Sequence, residues 1–185
     1  SLCGLCRRFS PRLSEAMTAV ANAIDRASAH SPFLAGLMDR NPDLMEYIRA
    51  GDFEAALTSA LNRTGDSMGA ALRRQRQGVA LVTALADLAG IWDLTRVTRI
   101  LSDFADHALD QAIATAIEER VPGAPNQGFA VIGLGKHGGR ELNYSSDIDP
   151  IFLFDPQTLP HRERDDVAEA AVRYGRRVIE LLSAL

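Results

Sequence analysis

Cysteine is scarce in this chain of 185 residues: the two present, Cys3 and Cys6, stand as Cys-x-x-Cys near its start. A zinc site needs two further ligands, and no nearby cysteine or paired histidine offers them. Both therefore read as free thiols on a terminal segment rather than as half of a zinc site or a redox pair. A basic excess is missing as well, since 20 Lys and Arg face 24 Asp and Glu, for a net charge of −4. Binding to a polynucleotide by counterion release has no source here, which argues against a DNA or RNA polymerase role. No apolar run approaches the ~20 residues of a membrane-spanning helix, and no leader precedes the first helix, so a cytoplasmic protein that binds neither membrane nor nucleic acid is expected. Internal repeats and low-complexity segments are also absent. Apolar side chains, by contrast, make up 46% of the chain, enough to bury a sizeable core and to argue against disorder.

The first two thirds read as helices. Leu13, Met17, Val20, Ala21 and Ile24 recur at helical spacing over roughly 11–29. Ser31-Pro32 starts a second helix, with Ser as N-cap and Pro in the first turn, and Asn41-Pro42 repeats the device. Phe33, Leu34, Leu37 and Met38 make the apolar side of one, and Leu44, Met45, Tyr47 and Ile48 that of the next. Gly51-Asp52 ends that helix and caps another over 52–62. Gly65-Asp66 opens a long helical stretch whose apolar face holds Val79, Leu81, Val82, Leu85 and Leu88. Its basic cluster, Arg73-Arg74-Gln75-Arg76-Gln77, reads as a solvated face. Gly90 marks a break, Trp92 a packing anchor, and Asp93 the cap of a helix running to about Glu119.

Residues 121–127, Val-Pro-Gly-Ala-Pro-Asn-Gln, form a linker by composition. It divides the chain into a helical region, 1–120, and an α/β region, 128–185, so the fold class expected is α+β. After Pro156 and Pro160, residues 161–185 read as one helix with a buried stripe of Val167, Ala170, Ala171, Tyr174, Val178, Leu181 and Leu182. The chain stops within that helix and does not begin with Met, which suggests a fragment.

Chemistry concentrates between Gly128 and Asp155. The apolar runs Phe129–Ile132 and Ile151–Phe154, bounded by Gly, Pro and Asp, read as buried strands. Between them lie a glycine-rich turn, Gly133-Leu134-Gly135-Lys136-His137-Gly138-Gly139, and the segment Ser145-Ser146-Asp147-Ile148-Asp149. Alternation along an extended chain puts Asp147 and Asp149 on one face and Ile148 on the other. Two such carboxylates repel unless a cation sits between them. As hard oxygen donors they suit Mg²⁺, which keeps several waters and bridges to substrate phosphates. Glycines let backbone N–H groups approach a phosphate closely.

A Gly-Gly pair, seven residues, then Asp-x-Asp resembles the pattern of the nucleotidyltransferase superfamily related to DNA polymerase β. The fuller run from Gly133 to Asp149, Gly-x-Gly-Lys-x-Gly-Gly-Arg-Glu-Leu-Asn-Tyr-Ser-Ser-Asp-Ile-Asp, resembles the glutamine synthetase adenylyltransferase/adenylyl-removing family. The Arg140-Glu141-Leu142-Asn143 insert resembles the N-terminal, adenylyl-removing module of that family more than its AMP-attaching partner. The resemblance implies that 128–185 is a partial polymerase-β-like nucleotidyltransferase module acting on glutamine synthetase, with ATP or ADP as substrate or product and a PII-type signalling protein as regulator. It also implies that Asp147 and Asp149 hold Mg²⁺ and that Gly138 and Gly139 meet phosphate through the backbone. Ser145 and Ser146 either bond a phosphate or the aspartates or simply build a turn; Lys136 either neutralises phosphate or is an ordinary loop lysine. Arg140 and Glu141 read as a structural ion pair, Asn143 as a turn residue and His137 as incidental.

Two departures from the family pattern qualify this. Pro150 stands where an aliphatic residue is usual and cannot donate a ladder hydrogen bond. The family's third carboxylate, on a later strand, has no counterpart here, so weak binding and poor turnover are expected of these residues alone. A rival reading of another class is a docking module that keeps the fold without the chemistry.

Overall fold

Helix starts follow the capping residues. In the computed structural model, which describes residues 11–183, Ser31 Oγ accepts from Leu34 N, Asp52 Oδ1 from Ala55 N, Ser67 Oγ from Ala70 N and Asp93 Oδ1 from Arg96 N. Each satisfies an otherwise unpaired first-turn amide. These caps open α2 (Pro32–Arg40), α4 (Phe53–Leu61), α5 (Met68–Leu88) and α6 (Leu94–Arg120); α1 spans Pro11–His30 and α3 Pro42–Arg49. Asn41 does not repeat the device. Its side chain is buried, donating to Leu37 O and accepting from Arg63, so α3 begins without a side-chain cap. Cys3, Cys6 and the side chain of Leu13 lie outside the described residues. No described helix is long and apolar enough to cross a membrane.

Gly90 ends α5 as expected, by a specific route. Its φ is +66°, its N–H donates to Asp87 O, and Ile91 N donates to Ala86 O. This is the left-handed helix end that glycine adopts at least cost. The turn brings Trp92 into the core, edge-on to Phe53, with Arg96 over its face at 4.8 Å. The three arginines of the basic cluster on α5 are exposed, whereas Gln75 turns inward, donates to Arg63 O and meets His107 of α6 at 3.2 Å. The apolar stripe on α1 is Val20, Ala23, Ile24 and Ala27, with Met17 and Ala21 exposed; Phe33 and Tyr47 are exposed too.

Two apolar cores result. The first gathers α1–α5 and the first half of α6 around Leu37, Leu44, Ile48, Leu72, Leu81 and Leu85. The second gathers the other half of α6 (Leu109, Ala112, Ile113, Ala116, Ile117) against α8 (Val167–Ser183) and one face of a small sheet. The stripe on α8 is as expected, but the helix starts at Val167, not near residue 161. Asp166 Oδ1 caps it by accepting from Ala168 N and Glu169 N, while Tyr174 OH donates to Pro160 O at 2.7 Å and Arg120 pairs with Asp165. Those bonds hold 160–166 off the helix axis.

The sheet has two antiparallel strands, β1 (Phe129–Gly133) and β2 (Pro150–Phe154), in register from Phe129 opposite Phe154 to Gly133 opposite Pro150. With the helices, this gives an α+β chain. The apolar runs predict strands buried on both faces, and this is corrected: Phe129, Val131 and Phe152 pack on the second core, while Ala130, Ile132, Ile151 and Leu153 are exposed. Among the described residues the sheet is covered on one face, by α6, α8 and Leu159.

Candidate functional site

The segment joining β1 to β2 carries every residue that the sequence singles out. Leu134 N donates to Asp149 O, extending the strand pairing one step past Gly133 and Pro150. Proline is tolerated there because it is the first residue of β2, at the end of the ladder. Beyond that step the chain makes a single helical turn, α7 (Gly135–Gly138), then an irregular loop.

Asp147 and Asp149 are both exposed, and Ile148 between them packs against the second core. The alternation expected from an extended chain is therefore present, although β2 itself begins only at Pro150. Among the described residues neither carboxylate has a hydrogen-bond or ion-pair partner, and the same holds for the exposed ammonium of Lys136. Asn143 builds the turn before them: its Oδ1 accepts from Ser145 N at 3.0 Å and from Ser146 Oγ at 2.9 Å, and its own N–H donates to Ser146 Oγ at 3.0 Å. The Ser146 hydroxyl is thus used by the turn, whereas that of Ser145 makes no bond among the described residues.

The glycine pair sits at the end of α7 rather than at a helix start. Gly138 N donates to Leu134 O and Gly139 N to Gly135 O. A Cβ on Gly138 would fall well inside 3.0 Å of the Gly133 carbonyl oxygen, so close backbone approach requires glycine there.

Two readings of the loop are corrected. His137 is not incidental: it is 5% exposed, and its Nε2 lies 2.8 Å from Asp106 Oδ1 of α6. Arg140 does not pair with Glu141; its φ of +58° turns the guanidinium toward Asp103 and Asp106. Leu142 is buried, and its N–H donates to Ser102 Oγ at 3.3 Å. At the loop tip Tyr144 OH reaches Asp87 of α5 at 3.3 Å; burial first, and the Asp87 charge second, push the phenol pKa upward. Ser102, Asp103, Asp106 and Asp87 are thus partners of the site that the linear motif does not contain. One signal was available: Asp103, Asp106 and Asp110 line up at helical spacing along one flank of the helix.

An open cleft of about 430 Å³ runs between α6 and β1, with Asp106, Asp110, Asn126 and His137 in its walls; the acidic pair lies outside it. Among the described residues no group of three or more His, Cys, Asp or Glu is gathered to hold a metal.

A strand, a glycine turn, an exposed acidic pair and a second strand, strapped to a helical body, define an α+β protein with an acidic loop site. The family model for glutamate-ammonia ligase adenylyltransferase matches residues 21–185, and the chain belongs to that family. It is 34% identical over 173 aligned residues to the bifunctional glutamine synthetase adenylyltransferase/adenylyl-removing enzyme of Caulobacter vibrioides, covering 83% of this chain and 18% of that protein. To the enzyme of the same name from Xanthobacter autotrophicus it is 36% identical over 190 aligned residues, covering 92% and 19%. To that of Rhizobium meliloti it is 34% identical over 181, covering 84% and 18%. The chain thus spans less than a fifth of the length of these relatives. No solved structure matches it significantly.

Proposed function

We propose that this chain is part of an enzyme that removes AMP from adenylylated glutamine synthetase by phosphorolysis, and that 128–185 belongs to a polymerase-β-like nucleotidyltransferase module. The observation that carries the reading is the pair Asp147 and Asp149, exposed and unpartnered at the end of the glycine loop. Two exposed carboxylates one residue apart on an extended chain share a face and can share one cation. Their donor chemistry fits Mg²⁺, which is commonly held by one or two carboxylates plus substrate phosphates. When bound, the metal would neutralise charge on the phosphate oxygens.

The remaining work falls to residues of this chain. Lys136 offers a cation to the incoming phosphate, the Ser145 hydroxyl a hydrogen bond, and the bare α-carbon of Gly139 a close approach. Ser146 acts through the turn it closes with Asn143. In the reaction an oxygen of inorganic phosphate attacks the adenylyl phosphorus, and the bond from that phosphorus to the tyrosine oxygen breaks. The phenol leaves and takes up a proton, and the product is ADP. The partner is glutamine synthetase, with a PII-type protein as regulator, in the cytoplasm.

The test uses the full-length protein with adenylylated glutamine synthetase, Mg²⁺ and phosphate, read as ADP release, with Asp147→Asn as control. ADP that falls at least about a hundredfold in the control, with Tm unchanged, supports the reading. Loss in the control of AMP transfer from ATP to unmodified glutamine synthetase, with ADP release kept, moves the segment to the AMP-attaching half. Neither activity supports the docking-module reading.

A further inference from the structure

We infer that His137 and Asp106 are positioning residues: a latch between a buried imidazole and a half-exposed carboxylate that fixes the glycine loop to helix α6, and through it the phosphate-handling end of the site. The inference rests on the reading of the site given above and goes beyond its motif, since Asp106 lies on another element, 31 residues away.

The loop needs such a latch. Between Leu134 and Asp149 its regular structure is one turn of helix, and an untethered stretch of this length carries a large ordering entropy. Its polar ties to the helical body differ in weight. The Arg140 pairs with Asp103 and Asp106 are about half exposed on both sides, and such pairs contribute little in water. Tyr144 is 44% exposed at its bond to Asp87. The His137 side chain is only 4% exposed, whereas Asp106 is 53% exposed, so the 2.8 Å bond is buried on its imidazole side: breaking it leaves the ring nitrogen short of a partner while the carboxylate still meets water. Its other nitrogen, Nδ1, is buried without a hydrogen-bond partner against Gly133, where a Cβ would lie 2.6 Å away. The ring is therefore wedged between the last residue of β1 and the flank of α6. It directly precedes Gly138-Gly139 and follows Lys136, so its placement sets theirs. Errors of about 1 Å in such positioning cost up to a hundredfold in rate.

The experiment is a double-mutant cycle in the full-length protein: Asp106→Ala, His137→Leu, which keeps the volume without the polar atoms, and both together. ADP release gives kcat and KM for phosphate, and amide exchange is followed over 133–146 and over α3. We expect each single variant to lower kcat about tenfold or more with KM changed less than about twofold, and the double variant to be no worse than the poorer single one. Asp106→Asn, which keeps an acceptor oxygen, should recover most of the loss. Additive losses, or unchanged kcat in either single variant with α3 protected as in the wild type, overturn the latch. If the wild type itself releases no ADP, the functional reading fails separately. The latch then stands on faster exchange over 133–146 in both single variants, and falls if that exchange is unchanged.

Discussion

Replacing Gly138 and Gly139 one at a time by alanine separates two reasons for a glycine pair. At Gly138 an added Cβ falls well inside 3.0 Å of Gly133 O and 3.3 Å from Gly133 C. Both atoms are backbone at the end of β1, so no side chain can swing aside. Restoring a normal separation of about 3.5 Å requires a shift of roughly 1 Å shared between strand end and turn. Overpacking of that kind costs about 1–3 kcal/mol. At Gly139, where φ is −79°, the nearest atom to a new Cβ is Gly135 O at 3.5 Å, an ordinary contact. Alanine there restricts the unfolded chain and adds about 0.4–1 kcal/mol. With a urea dependence of about 2 kcal/mol per molar, Gly138→Ala should lower the unfolding midpoint by roughly 1 M and Gly139→Ala should raise it slightly. Circular dichroism in urea reads both. An unchanged midpoint for Gly138→Ala, or equal falls for both variants, refutes the close-approach reasoning. If Gly139 is glycine for the sake of phosphate, Gly139→Ala remains folded while KM for phosphate rises severalfold.

Tyr174→Phe removes the bond to Pro160 O, leaves a part-buried carbonyl unpaired and should cost about 1 kcal/mol in the same titration. Arg177 donates to both Glu119 oxygens, at 2.7 and 2.9 Å, and that hydrogen bonding holds the Glu119 carboxyl below its ordinary range. A depressed carboxyl contributes stability that is fully present above the unfolded value of about 4.3 and is lost as pH falls through the folded value. Arg177→Met should therefore cost at most about 1 kcal/mol at pH 7, the two side chains being 40% and 46% exposed. The difference should close on acidification below the folded value, and also in 1 M salt; a gap that stays constant down to pH 2 would show that the contribution is packing, not charge.

Local chemistry made the elements legible. Ser31, Asp52 and Asp93 act as the caps their positions suggest, Gly90 ends α5, and both short apolar runs are strands. The loop order Gly-Gly, turn, Asp-x-Asp was legible because it is written in one uninterrupted segment. Long-range partners were not. His137 offers no spacing to a partner within the loop because its partner lies 31 residues earlier on α6. Arg140 looked paired with its neighbour Glu141, but a positive φ at Arg140 aims it at Asp103 instead. The start of α8 was misplaced because bonds that hold 160–166 off the helix axis come from Arg120 and Tyr174, neither of which is in that stretch. The strands looked buried because a run of apolar residues does not say how many faces are covered.

The loop at 121–127 marks a change of chain direction more than a change of core. Ala124 within it packs on the second core, and the five α6 residues that line that core all precede the loop. The same helix presents Ser102, Asp103 and Asp106 to the site loop and Val97, Phe104 and Ala108 to the first core. One helix of 27 residues therefore carries three assignments on three surfaces. A rigid rod is suited to that, because a helix transmits the position of one end to the other while a loop does not. The acidic pair is held from both sides by this arrangement: Ile148 is fixed to the second core, and Leu142, His137 and Arg140 to α6. It follows that the helical region, which contributes no residue to the Gly-to-Asp motif, determines where that motif stands.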